Sequence, residues 1–154
     1  MKRTAKCACE RVSVVVDGDP AQVMACHCDF CQRSTGTVYR VACWYPHSRV
    51  LELNGETKRF SESPNSIGVD VNFCPNCGST VHWTFDRVVE RPEFAAYAKL
   101  GEYRAISVGC FADKDFPMPR VIHQTQYRHH WLPPLDGVPS FESFAPPEAF
   151  FDGT

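Results

Sequence analysis

Seven of the nine cysteines stand in three tight groups, Cys7-x-Cys9, Cys26-x-Cys28-x-x-Cys31 and Cys74-x-x-Cys77, and any fold this chain adopts must satisfy them. Groups this close suit thiolates converging on an ion better than a disulfide framework. The trio Cys26, Cys28 and Cys31 matches a catalytic zinc, which typically keeps three protein ligands and leaves a fourth position for water or substrate. Two distant pairs, Cys7 with Cys9 and Cys74 with Cys77, supply four thiolates, the number a closed structural zinc takes. Two zinc ions per chain are therefore expected. If Cys74 and Cys77 joined the trio instead, one ion would have a surplus ligand and Cys7 with Cys9 would be too few for a second site.

Competing chemistries use similar spacings. Cys28 and Cys31 form a Cys-x-x-Cys, as a redox pair does, and iron–sulfur clusters also use it. Cys74-Pro75-Asn76-Cys77-Gly78-Ser79 has the punctuation of a zinc knuckle: proline stiffens the entry and glycine permits a positive φ after the second cysteine. A thioredoxin-like pair expects a strand-to-helix setting, whereas strand-forming residues flank this motif on both sides. Cys43 and Cys110 stand alone in extended segments and read as small buried hydrophobes. Of the histidines, His27, His82, His123, His129 and His130 read as packing or polar groups rather than ligands, with a proton-shuttle role open to one of them.

Composition narrows the function classes. The 154 residues are 44% hydrophobic and 12% aromatic with a formal net charge of −2, an ordinary globular balance with no basic excess for nucleic acid. No apolar run reaches the roughly 18–20 residues of a membrane helix. The basic start, residues 1–10, runs into Cys7 and Cys9 without an apolar stretch, so no signal peptide is expected. With cysteines odd in number and metal-like in spacing, a reducing cytoplasm is the expected location.

Nearly every segment reads as short and extended. Residues 12–16 form a β-branched strand closed by Asp17-Gly18-Asp19-Pro20, and 23–26 are expected to return as its hairpin partner. Cys7 and Cys9 are expected in a strand, where i and i+2 face one way. Asp29 is a candidate N-cap for a short helix over 30–34, ended by Gly36. Strands are expected at 37–44 and 49–53, the latter turning at Asn54-Gly55 into a return limb at 57–61. A loop at 63–66 precedes strands at 67–73, 80–85, 105–111 and 120–127. Helix formers and a terminal glycine predict a short helix over 93–101. The chain reads as one domain, a core of 1–131 with a proline- and aromatic-rich tail of 132–154 lying extended over the surface, its phenylalanines filling apolar gaps.

These motifs, with Arg33, Thr35 and Gly36 after the trio, Ile106-Ser107-Val108, and Trp131-Leu132 followed by Asp136-Gly137-Val138-Pro139, resemble the glutathione-dependent formaldehyde-activating enzyme family. The resemblance implies a mainly β, tent-like zinc fold of small antiparallel sheets with one or two short helices. It also implies a carbon–sulfur lyase reaction joining glutathione to formaldehyde as S-hydroxymethylglutathione at the Cys26, Cys28 and Cys31 zinc. Glutathione carries two carboxylates, and Arg33 with the backbone amides of Ser34 to Thr37, Thr35 and Gly36 among them, are its candidate contacts. The chain departs from the pattern at Glu10, where a glycine usually follows Cys-x-Cys, and in a longer connection at 87–104 that is expected to border the pocket. A non-catalytic zinc-binding interaction module on the same fold is the alternative reading.

Overall fold

A computed structural model describes residues 1–61 and 67–151; the loop expected at 63–66 and the last three residues lie outside them. The strands are β1 (Lys2–Lys6), β2 (Ser13–Asp17), β3 (Gln22–Cys26), β4 (Arg40–Pro46), β5 (Val50–Asn54), β6 (Lys58–Ser61), β7 (Asp70–Phe73), β8 (Thr80–Thr84), β9 (Tyr103–Ser107) and β10 (Val121–His123). Two short α-helices, α1 (Asp29–Thr35) and α2 (Pro147–Phe150), accompany them with several 3-10 turns. The strands form a three-stranded antiparallel sheet, β1-β2-β5, and a seven-stranded mixed sheet, β10-β3-β4-β9-β8-β7-β6. The mainly β expectation holds, with one sheet larger than expected and one parallel pair, β10 with β3.

The large sheet is apolar on both faces, and period-two alternation divides its side chains. Met24, Ala42, Trp44, Trp83 and Ala105 join one core cluster. Val23, Cys43, Tyr45 and Ile106 join a second, with Ala5, Val14 and Val16 of the small sheet. Opposite the small sheet, the first cluster is closed by Phe85, Val88, Leu100 and the tail residues Ala145, Phe150 and Phe151. A register shift between β7 and β8 leaves Val81 without a partner, and this bulge turns it to the face opposite Trp83.

Two expected hairpins are not formed. β2 pairs with β1 and β5, whereas β3 enters the large sheet between β10 and β4. β5 pairs with β2, whereas β6 pairs with β7. In both cases the chain turns where expected but the strands diverge: β2 packs its apolar side into the second cluster from the small sheet, β3 is buried throughout in the large sheet, and β6, exposed along its length, pairs at that sheet's edge. Gly55 is nonetheless obligatory: its φ is 84°, and a Cβ there would meet the Arg11 carbonyl oxygen at 1.9 Å.

The segment expected as an α-helix over 93–101 is a 3-10 segment, Pro92–Glu102, kinked at Phe94, and Leu100 is its buried residue. The tail lies partly extended, bridging Ile122 to Ser140, and its phenylalanines do fill apolar space. It then departs from expectation by ending in α2, which puts Phe150 beside Trp44, Tyr97 and His123 with ring centroids 6.2, 5.6 and 5.7 Å apart.

Candidate metal centres and the adjoining cavity

The Sγ atoms of Cys7, Cys9, Cys74 and Cys77 lie within 4.8 Å of one another, and so do those of Cys26, Cys28 and Cys31. The Cys7–Cys9 and Cys9–Cys74 separations are both 3.6 Å. Zinc–sulfur bonds of about 2.3 Å in a tetrahedron put sulfurs about 3.8 Å apart, so the all-thiol donor set fits that ion.

Cys7 and Cys9 reach this arrangement through a turn, not through the strand expected of them, since β1 ends at Lys6. Glu10 N–H donates to Cys7 O at 2.9 Å, and Gly78 N–H donates to Cys74 O at 2.9 Å, so the two pairs sit in matching reversals. Each reversal places the residue after its second cysteine at positive φ, 61° for Glu10 and 74° for Gly78. A side chain at Glu10 therefore occupies a conformation that glycine adopts without strain. The amide of Val12 donates to Cys7 Sγ at 3.2 Å and the Ser79 hydroxyl lies 3.3 Å from Cys77 Sγ. Hydrogen bonding to Ser79 lowers the Cys77 thiol to about 5, whereas burial raises Cys74 to about 11.

The trio gathers where β3 ends and α1 begins. The N-cap of α1 is Cys28, not Asp29: its sulfur accepts the Cys31 N–H at 3.4 Å, while Asp29 is the first helical residue. Gly36 ends the helix at φ 69°, as expected. Hydrogen bonds from Cys26 and Cys31 hold Cys28 far below the ordinary thiol range. The same contacts and burial push Cys26 up to about 11 and Cys31 well above its usual value. Three thiolates this close repel, so a divalent cation is what lets all three ionise together.

One wall of a cavity of about 260 Å³ is formed by Cys26, Cys28 and Cys31. Its polar remainder is Arg40, His123 and Gln124, and the rest is apolar. The Arg40 guanidinium sits 4.7 Å from the Trp83 ring centroid and its positive charge favours the thiolate forms of the trio. His123 reaches the site because parallel β10 sets it beside Cys26. Burial lowers its pKa to about 3, so the ring is neutral. Phe94 and Leu100 also line the cavity, so the 87–104 connection does border it.

The remaining sequence-selected residues lie elsewhere. Arg33 is 80% exposed and pairs with Asp29 at 3.0 Å, outside the cavity lining. Thr35 Oγ1 donates to Cys31 O at 2.7 Å, and Thr35 lines a separate depression with Thr37, Tyr39 and Arg40. Cys43 is buried, with its thiol raised above its usual value, and Cys110 is partly buried with its Sγ donating to Thr80 O at 3.5 Å. His82 is buried and accepts from Arg104 Nη1 at 2.8 Å. Sequence reasoning missed Arg40 and the cavity position of His123, whose only sequence signal is strand membership.

The sequence model of the family described as "Glutathione-dependent formaldehyde-activating enzyme" matches residues 2–127. No curated protein matches the chain. Among solved structures, the crystal structure of a Rhodobacter sphaeroides protein superimposes with a TM-score of 0.50 at 17% identity. The match covers 90% of this chain and 98% of that one, a likeness of fold alone. Among the described residues, no helix is long and apolar enough to cross a membrane.

Proposed function

The chain belongs to the glutathione-dependent formaldehyde-activating enzyme family, and on that premise we propose that it is a zinc-dependent carbon–sulfur lyase joining a thiol such as glutathione to an aldehyde such as formaldehyde. The observation that carries this reading is the placement of three convergent thiols at the wall of a cavity. Zinc held by Cys26, Cys28 and Cys31 would supply a coordination position that lowers the pKa of a substrate thiol. The tetrad Cys7, Cys9, Cys74 and Cys77 would hold the second, structural zinc and tie the start of the chain to its middle.

The chain's own residues do the rest. Arg40 places positive charge beside the trio. Neutral His123 stands in the lining beside the trio, among largely apolar walls. Arg33, on the exposed side of α1, is available to a carboxylate of a peptide thiol outside the cavity, and Thr35 and Gly36 fix the end of that helix. The whole of residues 1–154 acts as one domain in this reading, and nine free thiols favour the reducing cytoplasm as its setting.

The test is the rate of hemithioacetal formation from glutathione and formaldehyde with the zinc-loaded protein. A zinc-dependent excess over the spontaneous rate that is lost in Cys28→Ser is expected. No excess with any thiol would leave a non-catalytic zinc module on this fold.

A further inference from the structure

The cavity beside the trio is built for something larger and less polar than a one-carbon aldehyde. Six rings line it, Phe30, Trp44, Phe85, Phe94, Phe144 and Phe150. Aliphatic side chains from Ile67, Val69 and Leu100 fill between them. Formaldehyde takes little more space than the roughly 30 Å³ share of one water molecule, and an apolar cavity of about 150 Å³ already accepts benzene. At about 260 Å³ this cavity takes a ring with a substituent.

Its polar groups are few: beside the three thiols they are Arg40, His123 and Gln124. His123 Nε2 and Trp44 Nε1 are buried with no hydrogen-bond partner among the described residues. His123 Nδ1 accepts the Ala145 N–H at 3.5 Å, which assigns the ring proton of the neutral imidazole to Nε2. Both orphan nitrogens are therefore donors, and both lie beneath the surface of the cavity rather than on it. Apart from the cysteines, the lining holds one charged side chain, Arg40, and no carboxylate. A zwitterionic peptide thiol finds little here for anything beyond its sulfur, whereas an apolar body matches the walls.

We infer that the carbonyl partner is an apolar, ring-bearing aldehyde, its ring held among Phe94, Leu100 and Phe150 and its carbonyl carbon turned toward the trio. This rests on the thiol-addition reading above and names its substrate class. The thiolate sulfur attacks the carbonyl carbon; the carbon–sulfur bond forms as the carbon–oxygen π pair moves to oxygen. The proton released by the thiol ends there, giving a hemithioacetal with no oxidant or reductant consumed.

Two measurements on the zinc-loaded protein separate this inference from the reaction it rests on. The first titrates acetophenone, which presents the ring and the carbonyl oxygen, and follows the Trp44 indole and His123 imidazole N–H signals by nitrogen-15 NMR. Saturable shifts of both at millimolar or lower concentration are expected. Val69→Phe, filling the cavity, is expected to weaken acetophenone at least about tenfold, the scale at which apolar pockets sense bulk; the wild-type titration decides alone if that variant does not fold. The second measures kcat/KM with glutathione for benzaldehyde against formaldehyde, where at least about a tenfold preference for benzaldehyde is expected. Acetophenone shifts without catalysis on either aldehyde support the cavity assignment and sink the reaction. Zinc-dependent turnover of formaldehyde with no acetophenone binding, or with no preference for benzaldehyde, overturns the inference while the reaction stands.

Discussion

Truncating Phe150 to alanine tests whether the tail is part of the core or merely lies on it. Phe150 is 2% exposed and its ring meets Trp44, Tyr97, His123, Phe144 and Phe151. Burying a phenylalanine removes about 150–250 Å² from water, which at about 25 cal/mol per Å² is worth roughly 4–6 kcal/mol for the whole residue. Alanine keeps only a small part of that, and measured Phe→Ala changes in cores cost about 3–5 kcal/mol. Because Phe150 already lines the 260 Å³ cavity, the new void joins an existing one and the walls gain little by closing in. About 4 kcal/mol is expected. For a chain of this length each kcal/mol lowers Tm by about 2–4 °C, so the fall is about 8–16 °C. Calorimetry and urea denaturation at fixed zinc measure it, with Val89→Ala, at an exposed site, as a control changing stability by no more than about 0.5 kcal/mol. A loss below about 1.5 kcal/mol for Phe150→Ala would refute the claim that α2 closes the first core cluster.

Three further outcomes follow from the geometry. Cys9→Ser is expected to take bound zinc from two ions per chain to one and to lower Tm sharply, since the tetrad links Cys7 and Cys9 to Cys74 and Cys77; unchanged zinc by elemental analysis would contradict the division of the sulfurs. Glu10→Gly is expected to raise Tm, because relief of the positive φ outweighs loss of the exposed Lys6–Glu10 pair; a lower Tm would show that the turn tolerates a side chain at no cost. Burial, and then the Arg104 charge, lower the pKa of His82 to about 3. The unfolded chain, with a histidine near 6.5, then binds the proton that the folded chain refuses, so this contribution to stability is complete above about pH 6.5 and is lost as pH falls toward 3. At pH 4.5 the loss approaches about 2–3 kcal/mol, and a His82 ring signal that titrates near pH 6 by NMR would contradict it.

The three cysteine groups, the Gly36 helix end and the alternation of the strands were legible in the sequence because each is a local pattern with a local cause. Thiols two or three residues apart need only a turn to converge, and a strand's period fixes which side chains share a face. That locality also explains the misplaced hairpins: turn chemistry at 17–20 and 54–55 reveals that the chain bends, not which strand it meets next. Pairing was decided by burial, since β2 finds its apolar neighbours in β1 and β5 while β3 belongs with β4 and β10. His123 shows the limit most plainly. Nothing near it in sequence marks it, and it faces the cavity only because a parallel pairing across nearly a hundred residues sets it beside Cys26. The sequence alone determined which thiols stand close enough to share an ion; the tertiary structure decided what else stands around them, because cavity walls are assembled from strands, a kinked 3-10 segment and a tail whose meeting depends on packing free energy rather than on spacing.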